Sequence, residues 1–426
     1  MDENVASVRR ADIVIGIPSY NNARTIGHVV RAANAGLLKY FPQFDGLIIN
    51  SDGGSTDGTA KAVLEAQVED SHLLLLETPK KPVNRLSVPY HGIPGKGSAF
   101  RNIFEIALRL GAKACAVVDS DLRSITPEWI DLLIRPVLLH GYDLVTPYYH
   151  RHKYDGTITN NLVYPLTRAL YGKRIRQPIG GDFGLSARLL SIYTTRNDWE
   201  SDVARYGIDI WLTTLAVVED FKVCQSFLGA KLHDPKDPGS DLSAMLMQVM
   251  GSLFALMEEY EDRWPDVEGS APVDLFGFRY DVGVEPVAVT TSRMLDQFRH
   301  GLDDLTEIYE EALEARTFQQ LRELAGDSVF LLPDEVWVRV VYDFACRFHR
   351  APVGRGQLLR SLTPLYMGRV ASMVEETRDM GPQDFEERME RACRIFEEMK
   401  PYLIQRWNGA APLEEEPKEV MQEVKP

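Results

Sequence analysis

The sequence predicts an α/β protein in two parts, an open and mostly parallel sheet over residues 1–240 and a mainly α-helical region over 241–410. Three observations predict it. Short β-branched runs alternate with helical patterns as far as about Cys224, polar Gly- and Asp-rich turns follow the apolar runs, and helical spacing takes over from about Asp241. Alternating strands and helices mark an open α/β sheet, and the ligands of such sheets bind beyond the carboxyl ends of the strands.

The strand runs are IVIGI at 13–17, LIIN at 47–50, LLLL at 73–76, ACAVVD at 114–119 and DLVTP at 143–147. Their near-continuous apolar character suits strands buried on both faces. Residues 23–40, 56–69 and 97–110 carry helical spacing between them. Downstream, 243–260, 289–315, 333–349, 357–378 and 382–399 read as amphipathic helices. The segment 411–426 is charged, poor in aromatics and ends in Pro, so it reads as a disordered tail.

At ~150 residues per domain, a chain of 426 residues has room for two or three domains. A net charge of −15 argues against a wide basic face for nucleic acid or an anionic membrane, though not against a small phosphate pocket. Cys115, Cys224, Cys346 and Cys393 lie far apart without a CxxC pair, so they read as reduced thiols rather than a disulfide framework or a zinc site. No run approaches the ~18 apolar residues that a membrane helix needs. The charged start MDENVASVRRAD also lacks a signal-peptide core. A cytoplasmic protein without a membrane span is expected.

Asp119-Ser120-Asp121 follows directly on the strand ACAVV. Two carboxylates at i and i+2 on a strand end can share a hard divalent cation, completed by substrate phosphates. A solvated turn produces the same pattern. Upstream, Pro18-Ser19-Tyr20-Asn21-Asn22 ends the first strand, and the run NSDGGSTDGT at 50–59 ends the second. The second run is a Gly-rich turn into a helix, where free amides and Asp52 can meet a base or ribose, or where Asp52 or Ser55 simply caps the turn. Pro94-Gly95-Lys96-Gly97 lacks the full GxxxxGK[ST] pattern of a P-loop, which leaves one lysine beside flexible glycines.

The order PSY, SDGGSTDGT, GKG and DSD resembles a GT-A (Rossmann-like) glycosyltransferase using a nucleotide-sugar. More narrowly, RxxxDGTIT, QPIGGDF, YGID and a later His resemble the retaining synthases of mannosylglycerate, glucosylglycerate and glucosyl-3-phosphoglycerate. The likeness covers roughly 13–245 well and the helical remainder more loosely. It implies a Mg2+- or Mn2+-dependent enzyme. Pro18, Tyr20 and Asp52 would hold the nucleoside, Lys96 would lie near it or the phosphates, and Asp119, Ser120 and Asp121 would form the acidic motif, with Asp121 the direct ligand. His233, in GAKLHDPKD, matches the distal metal histidine, against the alternative of a lone surface or core residue. Gly180 and Gly181 would let the backbone approach the sugar. Asp182 departs from the Glu common in relatives, and Asp209 matches a second sugar-binding acid, or else a carboxylate facing a helix dipole. Arg151, Asp155 and Thr159 match the acceptor contacts of the mannosylglycerate enzyme, against the alternative of a solvated basic loop.

The expected donor is UDP-glucose, GDP-glucose or GDP-mannose, and the expected acceptor is D-glycerate or 3-phosphoglycerate. The loop 151–159 favours free glycerate. A phosphorylated acceptor would call on Lys153, Arg168, Lys173, Arg174 and Arg176. A homodimer is expected. The competing readings are a saccharide or lipid-phosphate acceptor, a sugar-phosphate nucleotidyltransferase (disfavoured by PSYNNART after the first strand), and a non-catalytic nucleotide-binding scaffold.

Overall fold

The computed structural model describes residues 8–66, 83–90, 92–232, 242–280 and, from 283 to 409, all but 285, 286, 288, 328 and 352. The predicted strand at 73–76, His233 and the predicted tail at 411–426 lie outside the described residues. The described strands are β1 (Ile13–Ser19), β2 (Gly46–Asp52), β3 (Asn84–Pro89), β4 (Ala114–Val117), β5 (Leu144–His150), β6 (Lys173–Arg174), β7 (Phe183–Ser186), β8 (Val223–Ala230), β9 (Ala271–Pro272) and β10 (Asp274–Phe276). Eight of them form one sheet in the order β10-β8-β5-β7-β4-β1-β2-β3, and β6 pairs with β9.

β1 sits between β2 and β4, parallel to both, and all seven of its residues are buried. Its alternate side chains go to opposite faces. Val14, Leu47, Ile49, Cys115 and Val117 enter one core, while Ile13, Ile15, Ile17, Ile48, Ala114 and Ala116 enter the other. β7 alone runs antiparallel, between β4 and β5. The carboxyl ends of β1, β2, β4, β5 and β8 and the start of β7 therefore gather along one edge, and the functional motifs meet there.

Helices α1 (Ile26–Tyr40), α2 (Thr59–Glu65), α3 (Lys96–Arg109), α4 (Pro127–His140), α5 (Tyr164–Tyr171), α6 (Ala187–Thr195) and α7 (Ile208–Val218) cover the two faces. The helical region comprises α8 (Ser243–Glu259), α9 (Thr291–Asp304), α10 (Thr306–Ala312), α11 (Ala315–Ala325), α12 (Asp334–Arg350), α13 (Arg355–Thr377), α14 (Pro382–Glu398) and α15 (Lys400–Trp407). The predicted helix at 289–315 is broken into α9 and α10, and α11 and α15 are additional.

The junction at 240 is not a break in packing. β10, from beyond it, pairs with β8 and extends the sheet. The C-terminal helices enlarge the core on one sheet face, where Leu162, Leu170 and Trp211 share a cluster with Trp337, Leu365 and Trp407.

Candidate functional site

An open cleft of about 810 Å3 lies over the carboxyl edge of the sheet. The loops leaving β1 and β2 form one wall and are laced together by side chains. Asn21 N donates to Ser55 Oγ at 2.8 Å and Asn22 N to Thr59 Oγ1 at 2.9 Å. Thr56 N returns to Asn21 Oδ1 and Ala23 N to Asp57 Oδ2, each at 3.0 Å. Asn21 holds φ at 55°, a left-handed conformation that Asn adopts more readily than most residues. Ser120 joins the lacing by donating to Asn22 Oδ1 at 2.9 Å.

Pro18, Tyr20 and Ser120 line this wall, and Tyr20 is 65% exposed. Asp52, expected at the nucleoside, sits beside the cleft-lining Gly53. It is 9% exposed, does not line the cleft, and accepts from Ser55 N at 3.0 Å and Ser55 Oγ at 2.6 Å on one oxygen. These two bonds cap the turn through Oδ1.

The floor is a bed of alternating charge. Lys231, just past β8, donates to Asp119 Oδ2 at 2.7 Å, Asp182 Oδ2 at 2.8 Å and the Gly180 carbonyl at 2.8 Å. Lys96, at the start of α3, lies 2.9 Å from Asp119 Oδ1 and 3.3 Å from Asp209 Oδ1. Burial alone would push both amines down, but the carboxylates beside them outweigh it and hold both above the ordinary lysine value. Burial likewise opposes ionisation of Asp119, and Lys231 and Lys96 reverse this, holding its carboxyl well below the usual range. Both oxygens of Asp119 are thus occupied by lysines.

Gly97 lets α3 come this close, because a Cβ there would collide with the Val203 carbonyl oxygen. Gly181, with φ at 89°, faces Asp119 Oδ2 where a side chain would strike it. The glycines answer packing demands, and the lysine between Gly95 and Gly97 reaches the cleft.

Asp182, expected at the sugar, is 0% exposed and does not line the cleft. Its Oδ1 accepts from Asp119 N at 2.8 Å, and its Oδ2 accepts from Tyr149 Oη and Lys231. It therefore supports the acidic motif from behind, and burial followed by the charge of Asp119 pushes its carboxyl up. Asp209 lies in the first turn of α7, lines the cleft, and is also pushed up by burial. Asp121 lines the cleft, and no described side chain bonds its carboxylate.

A divalent cation fits this arrangement through Asp121. Magnesium in particular is commonly held by one or two carboxylates, with waters and substrate phosphates completing its shell. Asp119 is held back by its lysines, and the described residues contain no group of three or more His, Cys, Asp or Glu side chains placed to hold a metal ion.

The far wall is the loop after β5. The β5–β8 register shifts between Tyr148 and Tyr149, an irregularity common next to functional sites. The Tyr149 ring has two cations over it, Arg151 at 5.1 Å and Lys231 at 5.2 Å from its centroid. Arg151, Asp155 and Thr159 all line the cleft. Arg151 Nε is 3.9 Å from Asp155 Oδ2, and it is buried without a hydrogen-bond partner among the described residues.

This loop is held by the helical region. Lys153 Nζ caps the end of α13 through the carbonyls of Thr377, Arg378 and Met380 at 2.5, 2.8 and 3.0 Å. Tyr154 Oη donates to Val374 O at 3.2 Å, Thr157 Oγ1 pairs with Tyr366 Oη at 2.6 Å, and Trp337 Nε1 donates to Asn161 O at 2.7 Å.

The structure therefore brings Pro18, Tyr20, Lys96, Asp119, Ser120, Asp121, Arg151, Asp155, Thr159, Gly180, Gly181 and Asp209 to one cleft. Asp52 and Asp182 stand behind its walls. Lys231 and Tyr149 shape it and were not singled out in the sequence, and Asn22, read there only as the end of the first-strand run, ties the loops together. The one available signal for Lys231 was a lone cation just past a buried strand, on the edge where ligands gather.

No family model matches the chain, and no curated protein matches it. Among solved structures it is similar to glucosyl-3-phosphoglycerate synthase from Mycobacterium tuberculosis. The complex with Mn2+, uridine diphosphate and glucosyl-3-phosphoglycerate is 24% identical, with 60% of this chain and 82% of that one covered, at a TM-score of 0.43. The complex with phosphoglyceric acid is 24% identical over 60% and 82%, at 0.44. The complex with Mn2+, UDP-glucose and phosphoglyceric acid is 23% identical over 60% and 83%, also at 0.44. Overlap at this level leaves the chemistry to be argued from the chain's own residues.

Proposed function

We propose that the chain is a metal-dependent hexosyltransferase that moves glucose or mannose, with retention, from a nucleoside diphosphate sugar to D-glycerate or 3-phosphoglycerate. One observation carries the reading: a single cleft joins an open carboxylate at Asp121, the cationic bed of Lys96 and Lys231 under Gly180 and Gly181, and the cationic and hydroxyl-binding groups Arg151, Asp155 and Thr159. The exposed Tyr20 ring offers a face to a base. Asp121 would hold Mg2+ or Mn2+, with His233 proposed as a further ligand. When bound, the cation neutralises charge on the leaving diphosphate.

The acceptor carboxylate pairs with Arg151, and Asp155 and Thr159 orient its hydroxyls. Retaining hydrolases place a carboxylate as nucleophile opposite the leaving group. Here Asp182 is fully buried and Asp209 is engaged by Lys96. That supports a front-face step: the acceptor oxygen bonds the anomeric carbon as the sugar–phosphate bond breaks, and the acceptor proton passes to a departing phosphate oxygen.

A larger acceptor, such as a saccharide or lipid phosphate, draws support from the apolar stretch Ile179, Leu242, Met245 and Val249 on the cleft wall. No helix among the described residues is long and apolar enough to cross a membrane. A matrix of nucleotide-sugars against glycerate and 3-phosphoglycerate, with the product anomer read by NMR, tests the reading. An α-glycoside of either acid is expected from an α-linked donor, and turnover only with saccharides would select the larger acceptor.

A further inference from the structure

Next to the cleft lies a small cavity of about 40 Å3, which shares Arg151, Asp155, Gly156 and Thr159 with it. Its far side is formed by Tyr148, Asn160, Arg176, Gln177, Phe385 and Glu386, so α14 closes it. Arg151 borders both spaces. Resting on the acceptor reading above, a hydroxy acid anchored there through its carboxylate has this cavity within reach of its other end. One water-sized group needs roughly 10–15 Å3 of such space, so the cavity suits a small group of a few atoms. A hydroxymethyl group has two heavy atoms, and its phosphate monoester has six.

The charge balance points the same way. Arg176 is spent on Glu386 in a bidentate pair at 2.9 and 3.1 Å, and on Asn160 Oδ1 at 2.9 Å. The other cations that a phosphate might use are also committed. Lys153 caps α13, and Arg168 is buried between Glu390 and Glu397 at 2.8 and 2.7 Å. Lys173 and Arg174 lie on the β6–β9 pairing and do not line the cavity. A dianion placed here would face the Glu386 carboxylate. Of the lining cations, Arg151 is taken by the acceptor carboxylate, Arg176 and Lys153 are committed, and His152 accepts from Tyr154 N on Nδ1 and is disfavoured as a cation by burial. Like charges in contact at an interface are strongly disfavoured.

We propose that Glu386 is a specificity-determining residue: the cavity it closes admits the uncharged hydroxymethyl end of a free hydroxy acid and turns away a phosphate monoester. The experiment compares kcat/KM for D-glycerate and 3-phosphoglycerate in the full-length wild type, in Glu386→Gln and in Arg176→Met. The Glu386 side chain is half-exposed, so Glu386→Gln is compatible with the fold. The wild type is expected to prefer glycerate by about a hundredfold or more. Glu386→Gln frees Arg176 and should narrow that preference by about tenfold, through the phosphoglycerate KM. Arg176→Met removes the bonded partner of Glu386, leaving it only the more distant charges of Arg279 and His150, and should widen it. A wild type that uses 3-phosphoglycerate as well as glycerate overturns the inference, as does a ratio unmoved in both variants. If neither acid is glycosylated, the acceptor reading fails first and the inference falls with it.

Discussion

The two walls of the cleft are held in place by different parts of the chain. On the side of β1 and β2, the shaping bonds come from within the sheet and its loops: Asn21 with Ser55, Asn22 with Thr59 and Ser120. On the side of β5, Lys153, Tyr154 and Thr157 are bonded to residues more than 200 positions later in the chain. The proposed donor wall is thus a property of the α/β sheet, and the proposed acceptor wall is a property of the helical region. Damage to the helices should act on the acceptor and spare the donor.

The largest expected effect comes from the element that joins the two walls. Lys231→Met leaves Asp119 and Asp182 without the cation between them, and removing one partner of a buried ion pair costs about 3–5 kcal/mol. Urea unfolding should show a loss of that order, and a change under about 1 kcal/mol would mean that the bed is not load-carrying. Next, Asp121→Ala should lower activity by at least about 100-fold, while the melting temperature stays within a few degrees of wild type. Excess chelator should do the same to the wild type, and full turnover in chelator would remove the metal from the account.

Lys153→Met tests the acceptor wall alone. It removes a cation from a helix C-terminus, an interaction typically worth about 0.3–1 kcal/mol. The acceptor KM should rise several-fold while the donor KM holds. Equal changes in both constants would show the two walls to be one unit.

The smallest effect concerns the docking of α15. Lys400 Nζ donates to Val267 O at 2.6 Å, and burial pushes its amine down to about 8. Between pH 8 and the ordinary value of 10.5 the unfolded chain binds the extra proton, so this group's contribution to stability rises with pH. Urea midpoints at pH 7.5 and 9.5 should differ less in that direction for Lys400→Met than for the wild type.

The strands at 13–17, 47–50 and 114–117 were legible in the sequence because both of their faces are buried, which leaves a continuous apolar run. β7 and β10 were not. Each is short, and β10 returns to the sheet from a stretch whose surroundings read as helical. Asp119, Asp121, Lys96, Asp209 and the loop 151–159 were legible as motifs and meet in one cleft. Lys231 and Tyr149 were not, because their bonds join residues 33 to 112 positions apart and leave no local pattern. Asp182 was legible as an acid in a Gly-Gly-Asp turn, but nothing local reports that its carboxylate faces inward to Asp119 N and Lys231. The cations at 153, 168 and 176, named in the sequence only as what a phosphorylated acceptor would call on, bond carbonyls or carboxylates of the helices, partners that no local pattern reports.

The separation of the two walls is tested most directly by acceptor and donor KM in Arg151→Ala. A charge-assisted hydrogen bond is worth about 1.5–3 kcal/mol, so the acceptor KM should rise about 10–100-fold while the nucleotide-sugar KM stays near wild type. Glycerol in place of glycerate should cost the wild type a similar factor and the variant almost nothing further. A wild type that uses glycerol and glycerate equally, or a variant in which both KM values rise together, would contradict the account.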